Sequence, residues 1–246
     1  MNNTSATIVS FIILTLFYSI IRFVLAGSSS EKTFTIIYFV LLLIMQYSVN
    51  VSNLQDRCGN IPHGSAILFT IIPWLFIFGL LYVCLIIFPG WRAPFSNTFG
   101  YTMASIAGVK KLMMNDILED ENVLKSKNVK DLLDVREDIY TNPGLLINEI
   151  TPDNFDKFWT KMKPIFRKTA DEHKNALLKL VHLKEVVADF IWYILAGSFT
   201  ISVSYNNITS VPCAQTAEQM EESHTDDIDN KKEDVKEKKK IYVSDD

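Results

Sequence analysis

Two cysteines carry the clearest candidate chemistry in the chain. Cys58 follows the second hydrophobic stretch and Cys213 follows the fourth, whereas Cys84 lies inside a hydrophobic stretch. In an oxidising compartment, a disulfide between Cys58 and Cys213 would tie the 52–65 loop to the end of the fourth stretch. The sequence does not supply the separation that a disulfide requires, so two unpaired thiols remain the alternative.

Two ionisable residues lie near the ends of hydrophobic stretches. Arg22 is close to the end of the first stretch, and Asp189 is close to the start of the fourth. Charged groups in such places are functional candidates by default. Because neither reaches the middle of its stretch, we expect them to snorkel to the headgroups or to pair with each other rather than to conduct ions. His182 and Glu185 are expected to form a solvated pair rather than a catalytic dyad.

Catalytic and cofactor motifs do not occur in the sequence. It contains no glycine-rich phosphate loop, no paired metal-binding cysteines and no His-Glu-x-x-His segment. The formal net charge of −4 gives no field that would favour nucleic acid. We therefore predict a protein that is not an enzyme, has no cofactor and binds no nucleic acid.

The hydrophobic residues, 48% of the chain, are gathered into long runs with few charges. A membrane-spanning helix needs about 20 apolar residues. A cleaved signal peptide ending near Val24-Leu25-Ala26 is an alternative for the first run, but no basic residue precedes it and the run is long for such a signal. We therefore predict a membrane region over 1–88 and four spans, at 7–26, 33–51, 66–88 and 186–205.

Residues 89–185 have the pattern of a helical soluble segment between the third and fourth spans. Their 15 Lys and Arg and 14 Asp and Glu are nearly balanced, as on a solvated surface. We predict helices over 96–120 and 129–139, a turn at 142–144, and a third helix that begins at Thr151-Pro152-Asp153 and ends or kinks at Pro164. The predicted fold class is an all-α polytopic membrane protein with four transmembrane helices.

Two patterns in this segment carry further expectations. Gly100, Ala104 and Gly108 recur every four residues, which would let another helix approach closely or would suit a helix lying on the membrane interface. Six large side chains of the third helix share one face, which either packs against neighbouring helices or is an interaction face for a membrane or a partner. They are Phe155, Phe158, Trp159, Met162, Ile165 and Phe166.

Three signals orient the chain in a membrane. Lys and Arg near the membrane concentrate on the side of 27–32 and 89–185, so the positive-inside rule predicts that 89–185 is cytosolic. The two candidate disulfide cysteines fall on the opposite side, as do four candidate N-glycosylation sites, Asn2, Asn3, Asn50 and Asn207. The tail 206–246, with 11 acidic residues and six lysines after Pro212, is predicted to be disordered.

The chain leaves the third span through Pro89-Gly90 and then Trp91-Arg92-Ala93-Pro94-Phe95-Ser96-Asn97-Thr98-Phe99-Gly100-Tyr101. The two prolines prevent a straight helical continuation. Trp91, Arg92 and Phe95 suit a membrane interface, so this stretch is predicted to be an elbow. Following a hydrophobic span, residues 91–101 resemble uncharacterised multi-pass membrane proteins of large DNA viruses of eukaryotes. The resemblance implies a viral membrane protein, for example one of the lipid layer beneath a capsid. The expected location is the virion membrane or a host endomembrane.

Two functions follow from these patterns. The leading hypothesis is a structural, anchoring or assembly protein whose partners are membrane lipids, other membrane or capsid proteins, or further copies of itself. The alternative is a channel or transporter subunit. A pore would need a polar lining, which Gln46, Asn50, Ser198, Thr200 and Ser202 could supply.

Overall fold

The structure, a computed structural model, describes residues 3–59, 63–126 and 130–213. The candidate site Asn2 and most of the tail predicted to be disordered, 214–246, lie outside the described residues. Within them the helices are α1 (Asn3–Val24), α2 (Ser30–Cys58), α3 (His63–Ile87), α4 (93–106), α5 (109–117), α6 (Glu121–Ser126), α7 (Lys130–Thr141), α8 (Pro143–Glu149), α9 (Phe155–Met162) and α10 (Ala170–Thr209).

Four of these helices, α1, α2, α3 and α10, are long and apolar enough to cross a membrane. This confirms the predicted fold class, an all-α membrane protein with a helical segment between the third and fourth spans. Two helices extend beyond their apolar runs. α2 extends over Ser30–Cys58, 29 residues, whereas its apolar run predicts a span over 33–51. α10 has 40 residues because the last helix of the soluble segment continues into the fourth span without a break.

The four long helices form a bundle, called the membrane bundle below, in which α1 and α3 each pack against both α2 and α10. Its interior is rich in aromatic rings, and those of Tyr18 and Tyr38 stack with centroids 4.1 Å apart. Phe17, Phe76 and Phe199 are exposed on the outside, where lipid would solvate them better than water does. The buried apolar side chains are Phe11, Tyr18, Tyr38, Leu42, Trp74, Phe78, Leu85, Tyr193, Ala196 and Ile201.

The hydrogen-bond pattern of α3 changes in its middle. Pro73 has no N–H to donate, and its ring crowds the preceding turn. The six residues after it, Trp74–Gly79, form a π-helical turn before the α-helix resumes at Leu80. The side chains of Trp74 and Phe78 in this turn are buried in the bundle interior.

Residues 89–185, called the helical unit below, have a hydrophobic core of their own. Its buried side chains come from α4, α5, α7, α8, α9 and the first part of α10. Leu118 and Phe166 form an isolated antiparallel bridge that joins the end of α5 to the turn before α10. Leu177 and Val181 of α10 belong to this core. Tyr193 and Ile201 of the same helix belong to the core of the membrane bundle, so α10 contributes to both cores.

The aromatic stripe of α9 lies inside the helical unit. Phe155 is 1% exposed, Trp159 and Phe166 are also buried, and the ring centroids of the latter two are 4.8 Å apart. Phe158 and Met162 are half-buried against the same core. The prediction that these residues form an interaction face is therefore wrong. The short helix uses its apolar side for internal packing, the other role that the sequence left open.

Helix boundaries in the unit differ from the predicted ones at polar turns. α9 begins at Phe155 rather than at Thr151, because Thr151 and Asn154 exchange side chain–backbone hydrogen bonds in the turn before it. α8 begins at Pro143, inside the predicted turn, since proline is favoured in a first helical turn. The predicted helix over 96–120 is divided at Gly108, whose φ of 98° suits a glycine.

Lys184 connects α10 to the rest of the helical unit. Its side chain is fully buried, and Nζ donates to the backbone carbonyl oxygens of residues 147, 148 and 150 at 2.8–3.2 Å. A cation at the end of α8 satisfies carbonyl groups that have no partner within that helix. Gly100 of α4 packs against the backbone of Lys184 so closely that any side chain would collide there.

Asp171 connects the first turn of α10 to α9. Its carboxylate accepts hydrogen bonds from Lys163 Nζ and from the indole N–H of Trp159, each at 2.9 Å. These two bonds, that of Lys163 first, hold the pKa of Asp171 below its usual range. The stabilisation is therefore present above the unfolded-state pKa and is lost as the pH falls through the lower folded-state pKa.

α1 and α10 approach each other closely at Gly197. The ring of Phe11 lies where a Cβ atom of residue 197 would be, and that ring is fully buried. The ring has no exposed side towards which it can move. A residue without a side chain is therefore required at this crossing.

Gly197→Ala should lower the melting temperature of the detergent-solubilised protein, because the new methyl group would displace a buried ring. Overpacking of this kind costs about 1–3 kcal/mol. Gly79→Ala is the matched control, since its Cβ would meet only the Trp74 carbonyl oxygen at an ordinary 3.6 Å. Tryptophan fluorescence can follow both unfolding transitions, and equal melting temperatures would contradict the close approach of α1 and α10.

Candidate functional site

Five charged side chains meet where the membrane bundle joins the helical unit. Glu185 and Asp189 are four residues apart, so they lie one above the other on one face of α10. The other three come from the ends of neighbouring elements. The five, called the charge cluster below, are Arg22 in the last turn of α1, Glu31 in the first turn of α2, Arg92 after α3, and Glu185 and Asp189.

The elbow after α3 brings Arg92 to this cluster. α3 ends at Ile87, and Phe88 leaves the helical conformation with φ −119° and ψ 74°. Pro89 then begins a 3-10 turn that ends at Arg92, and α4 starts at the next residue. This sharp change of direction, which the prolines favour, lets the guanidinium group reach α10.

Asp189 is the centre of the charge cluster. Its Oδ1 lies 2.6 Å from Nε of Arg92, and its Oδ2 accepts a hydrogen bond from Nη1 of Arg22. Nε of Arg22 in turn donates to Oε1 of Glu31 at 3.0 Å. One carboxylate therefore joins α1, the elbow and α10, and Arg22 adds α2.

Glu185 forms a second bridge between α10 and the elbow. Its Oε2 accepts a hydrogen bond from Nη1 of Arg92 at 3.3 Å, and its Oε1 accepts one from the hydroxyl of Ser96 at 2.7 Å. Both Glu185 and Ser96 are buried. The prediction of a solvated pair between His182 and Glu185 is therefore wrong for Glu185, because the elbow covers it.

Burial makes the members of the cluster depend on one another. Asp189 is 2% exposed, and an isolated carboxylate at that depth would be strongly unfavourable. The guanidinium groups of Arg22 and Arg92 compensate the charge of Asp189. Glu31 and Glu185 in turn compensate the charges of these two guanidinium groups. Two positive and three negative side chains leave a formal charge of −1, so the cluster is nearly balanced.

Part of this cluster could be found in the sequence. An ion pair between Arg22 and Asp189 is one of the two arrangements that their positions leave open, and the structure contains it. Arg92 is predicted only as an interface residue, and Glu31 and Ser96 carry no signal at all. The one available signal for Glu185 is its position one turn before Asp189 on the same helix face.

The predicted interface residues of the elbow lie together beside the charge cluster. Trp91 is 48% exposed, and its ring is 6.2 Å from that of Trp192 on α10, centroid to centroid. The rings of Phe95 and Trp192 are 5.8 Å apart, nearly edge to face. Tryptophan rings concentrate at the boundary between lipid and water, so this aromatic group marks the same level as the charges.

The opposite end of the membrane bundle contains the two cysteines that the sequence singles out. Cys58, at the end of α2, and Cys213, just after α10, form a disulfide with their Cα atoms 5.2 Å apart. Arg57 strengthens the same junction, since its Nη1 donates to the carbonyl oxygen of Ile208 at 2.9 Å, near the end of α10. The end of α10 is therefore held to α2 by a covalent bond and a charged hydrogen bond.

The candidate glycosylation sites have different surroundings. Asn50 is 4% exposed, and its Nδ2 donates to the hydroxyls of Thr70 at 2.7 Å and Ser204 at 3.0 Å. Asn50 is therefore wrongly predicted as a glycosylation site, because a side chain enclosed by three helices cannot carry a glycan. Asn207 is half-buried in the last turn of α10, and Asn3 is the first residue of α1.

The polar residues considered as a pore lining do not share one face of the bundle. Gln46, Asn50 and Thr200 are buried between helices, Ser198 is half-buried, and Ser202 is exposed on the outside. The hydroxyls of Thr200 and Ser202 donate to carbonyl oxygens of their own helix at 2.9 and 3.0 Å. In the described chain the buried members of this set pack helices together.

A cleft of about 400 Å³ opens beside the charge cluster. It lies between the membrane bundle and the loop that precedes α9, so both parts of the protein form its walls. Besides Arg22, Arg92, Glu31 and Glu185, the walls include Ala26 and Gly27, Pro89 and Ala93, Asn148 and Asp153, and His182 and Val186. Within 3–59, 63–126 and 130–213, no group of three or more His, Cys, Asp or Glu is placed to hold a metal ion.

No protein-family model, curated protein or solved structure matches this chain. The resemblance of 91–101 to viral membrane proteins therefore stays an expectation.

Asp189→Asn should destabilise the protein strongly, because it removes the carboxylate that two guanidinium groups share. Removing one partner of a buried ion pair costs about 3–5 kcal/mol. We expect a clear fall of the melting temperature in detergent and faster tryptic cleavage after Arg92, which keeps Glu185 but loses the other of its two carboxylate partners on α10.

Asp171→Asn is the matched control for this substitution, since it makes the same chemical change on the same helix. The ion pair of Asp171 with Lys163 lies on the surface, where such pairs contribute little. If Asp189→Asn lowered the melting temperature no more than Asp171→Asn does, Asp189 would not be the centre of the junction.

Proposed function

We propose that this protein is a non-enzymatic membrane anchor that holds its helical unit in a fixed position on the membrane surface for the assembly of other proteins. The observation that carries the proposal is α10, a single 40-residue helix that contributes to both cores. At 1.5 Å per residue it is about 60 Å long, roughly twice the hydrocarbon thickness of a bilayer. Such a helix fixes the position of the helical unit relative to the bilayer.

The contacts around the junction support this role, because they oppose bending of α10 where it leaves the bundle. Asp189 pairs with Arg22 and Arg92, and Glu185 pairs with Arg92 one turn earlier. Lys184 is bound to three carbonyl oxygens of the unit. A flexible tether would need none of these contacts.

The proposal places the helical unit in the cytosol and the disulfide end in an oxidising compartment. Arg22, Lys32 and Arg92 lie at the end of the bundle that meets the unit, and basic residues are retained on the cytosolic side. The disulfide between Cys58 and Cys213 lies at the other end, and disulfides persist where thiols are not kept reduced.

The membrane in question is proposed to be a viral one, the virion membrane or a host endomembrane. The support is the resemblance of 91–101, whose Trp91 and Phe95 pack beside Trp192 at the boundary. The partners would then be capsid proteins, other membrane proteins or further copies of this chain, with membrane lipids around the bundle.

The surface proposed to meet a protein partner lies on α7 and α8. With the stripe of α9 buried, Tyr140 in the last turn of α7 and Leu145 in the first turn of α8 are large exposed side chains on the helical unit. The guanidinium carbon of Arg136 lies 5.5 Å from the centroid of the Tyr140 ring. Tyrosine and arginine are enriched among the residues that dominate protein–protein binding.

A photo-activatable amino acid at position 145 tests this function in the full-length chain and its native membrane. We expect one discrete crosslinked protein, and none from the same group at position 157, which is exposed on the polar side of α9. Tyr140→Glu should reduce the crosslink at 145 by roughly thirtyfold, the loss expected for a central contact residue.

Two results would contradict the anchor function. One is the absence of a discrete partner at position 145 while the protein is correctly inserted. The other is ion flux through liposomes that contain only the purified protein, which would favour a channel subunit instead.

A further inference from the structure

We propose that the cleft beside the charge cluster binds the headgroup of a phospholipid with a primary ammonium group, phosphatidylethanolamine. The phosphate would lie at Arg22 and Arg92, and the ammonium group at Asp153 and Asn148. The proposal requires only the fold and the cleft, so it does not depend on the assembly role.

The position of the cleft suits a lipid headgroup. Its walls include the loop after α1 at Ala26, the elbow after α3 at Pro89 and Ala93, and α10 at Val186. These are the places where three of the long apolar helices meet the helical unit, and the rings of Trp91 and Trp192 mark the same level. The apolar part of the lining gives the glycerol end of a lipid a surface to contact.

Two arginines on the membrane side can accept a phosphate. The contacts of the charge cluster use Nε and Nη1 of both Arg22 and Arg92. An arginine has five N–H donors in a planar fork, so Nη2 of each side chain remains for a ligand. Guanidinium groups already held in place bind phosphate oxygens at little entropic cost.

The opposite wall is rich in acceptors. Oδ1 of Asn148 is buried and, among the described residues, receives no hydrogen bond. Asp153 is exposed in the loop before α9, and no hydrogen bond from a described residue reaches its carboxylate. A buried acceptor without a donor is unfavourable, so this wall favours a ligand that supplies N–H groups.

The charges of the cleft select between headgroups. Arg22 and Arg92 contribute two positive charges, and Glu31, Asp153 and Glu185 contribute three negative ones, a formal sum of −1. Behind the walls, the negative charge of Asp189 and the positive charge of Lys184, whose Nζ lies 3.9 Å from Oε1 of Glu185, cancel and leave this sum unchanged. This field opposes a headgroup with a net negative charge. A trimethylammonium headgroup has no N–H donors for Asn148 and Asp153, so a primary ammonium fits best.

Native mass spectrometry of the full-length protein in detergent, with equimolar dioleoyl phosphatidylethanolamine, phosphatidylcholine and phosphatidylglycerol, tests the proposal. We expect retained phosphatidylethanolamine to exceed the other two lipids several-fold. Asp153→Asn should reduce that excess by roughly fivefold, because it removes a charge-assisted hydrogen bond. Asp134→Asn is the matched control, since Asp134 is exposed on α7 and does not line the cleft.

A second variant, Asn148→Ala, keeps the test independent of charge and should also reduce the excess. Equal retention of the three lipids, a preference for phosphatidylglycerol, or no effect of Asp153→Asn would overturn the proposal. Soluble glycerophosphoethanolamine should displace the lipid only at much higher concentration. If it binds as tightly as the lipid, the ligand is a soluble phosphoamine and the lipid assignment is wrong; binding of a lysine-rich peptide in preference to lipid would also overturn it.

Discussion

The junction between the membrane bundle and the helical unit depends on one carboxylate, that of Asp189. It contacts Arg22 at the end of α1 and Arg92 in the elbow, and it is almost completely buried. A charge at this depth is tolerated only when its partners are in place. The packing of these three segments pairs Asp189 with two guanidinium groups, and one turn earlier Glu185 forms an ion pair with Arg92.

In a membrane, an ion pair that forms in only one arrangement of the helices adds specificity that hydrophobic burial does not supply. Lipid tails are as apolar as leucine side chains, so hydrophobic burial hardly distinguishes a helix face that meets lipid from one that meets another helix. Close approach at Gly197 and stacked tyrosines give the bundle shape complementarity. Ion pairs add a preference for one register, although apolar side chains of similar shape could be equally stable.

α10 is held at three levels along its length. Lys184 is bonded to the end of α8, Asp189 to α1 and the elbow, and Cys213, just beyond the helix, to α2. A helix held in this way cannot slide or tilt independently of its neighbours. This arrangement favours an anchor that fixes position, and it leaves a mixed-charge cleft where the membrane bundle meets the helical unit.

The sequence by itself determined the four long apolar helices, the helical soluble segment and the break at Pro89. These features depend on local properties, namely the length of apolar runs and the backbone limits of proline. Helical periodicity also placed Phe155 and Trp159 on one face, and the position of Arg22 allowed its pair with Asp189. Only the tertiary structure decided that the α9 face is internal, that Asn50 is enclosed, and that Arg92 and Glu185 are partners. Such outcomes depend on which distant segments pack together, and periodicity defines a face without identifying what covers it.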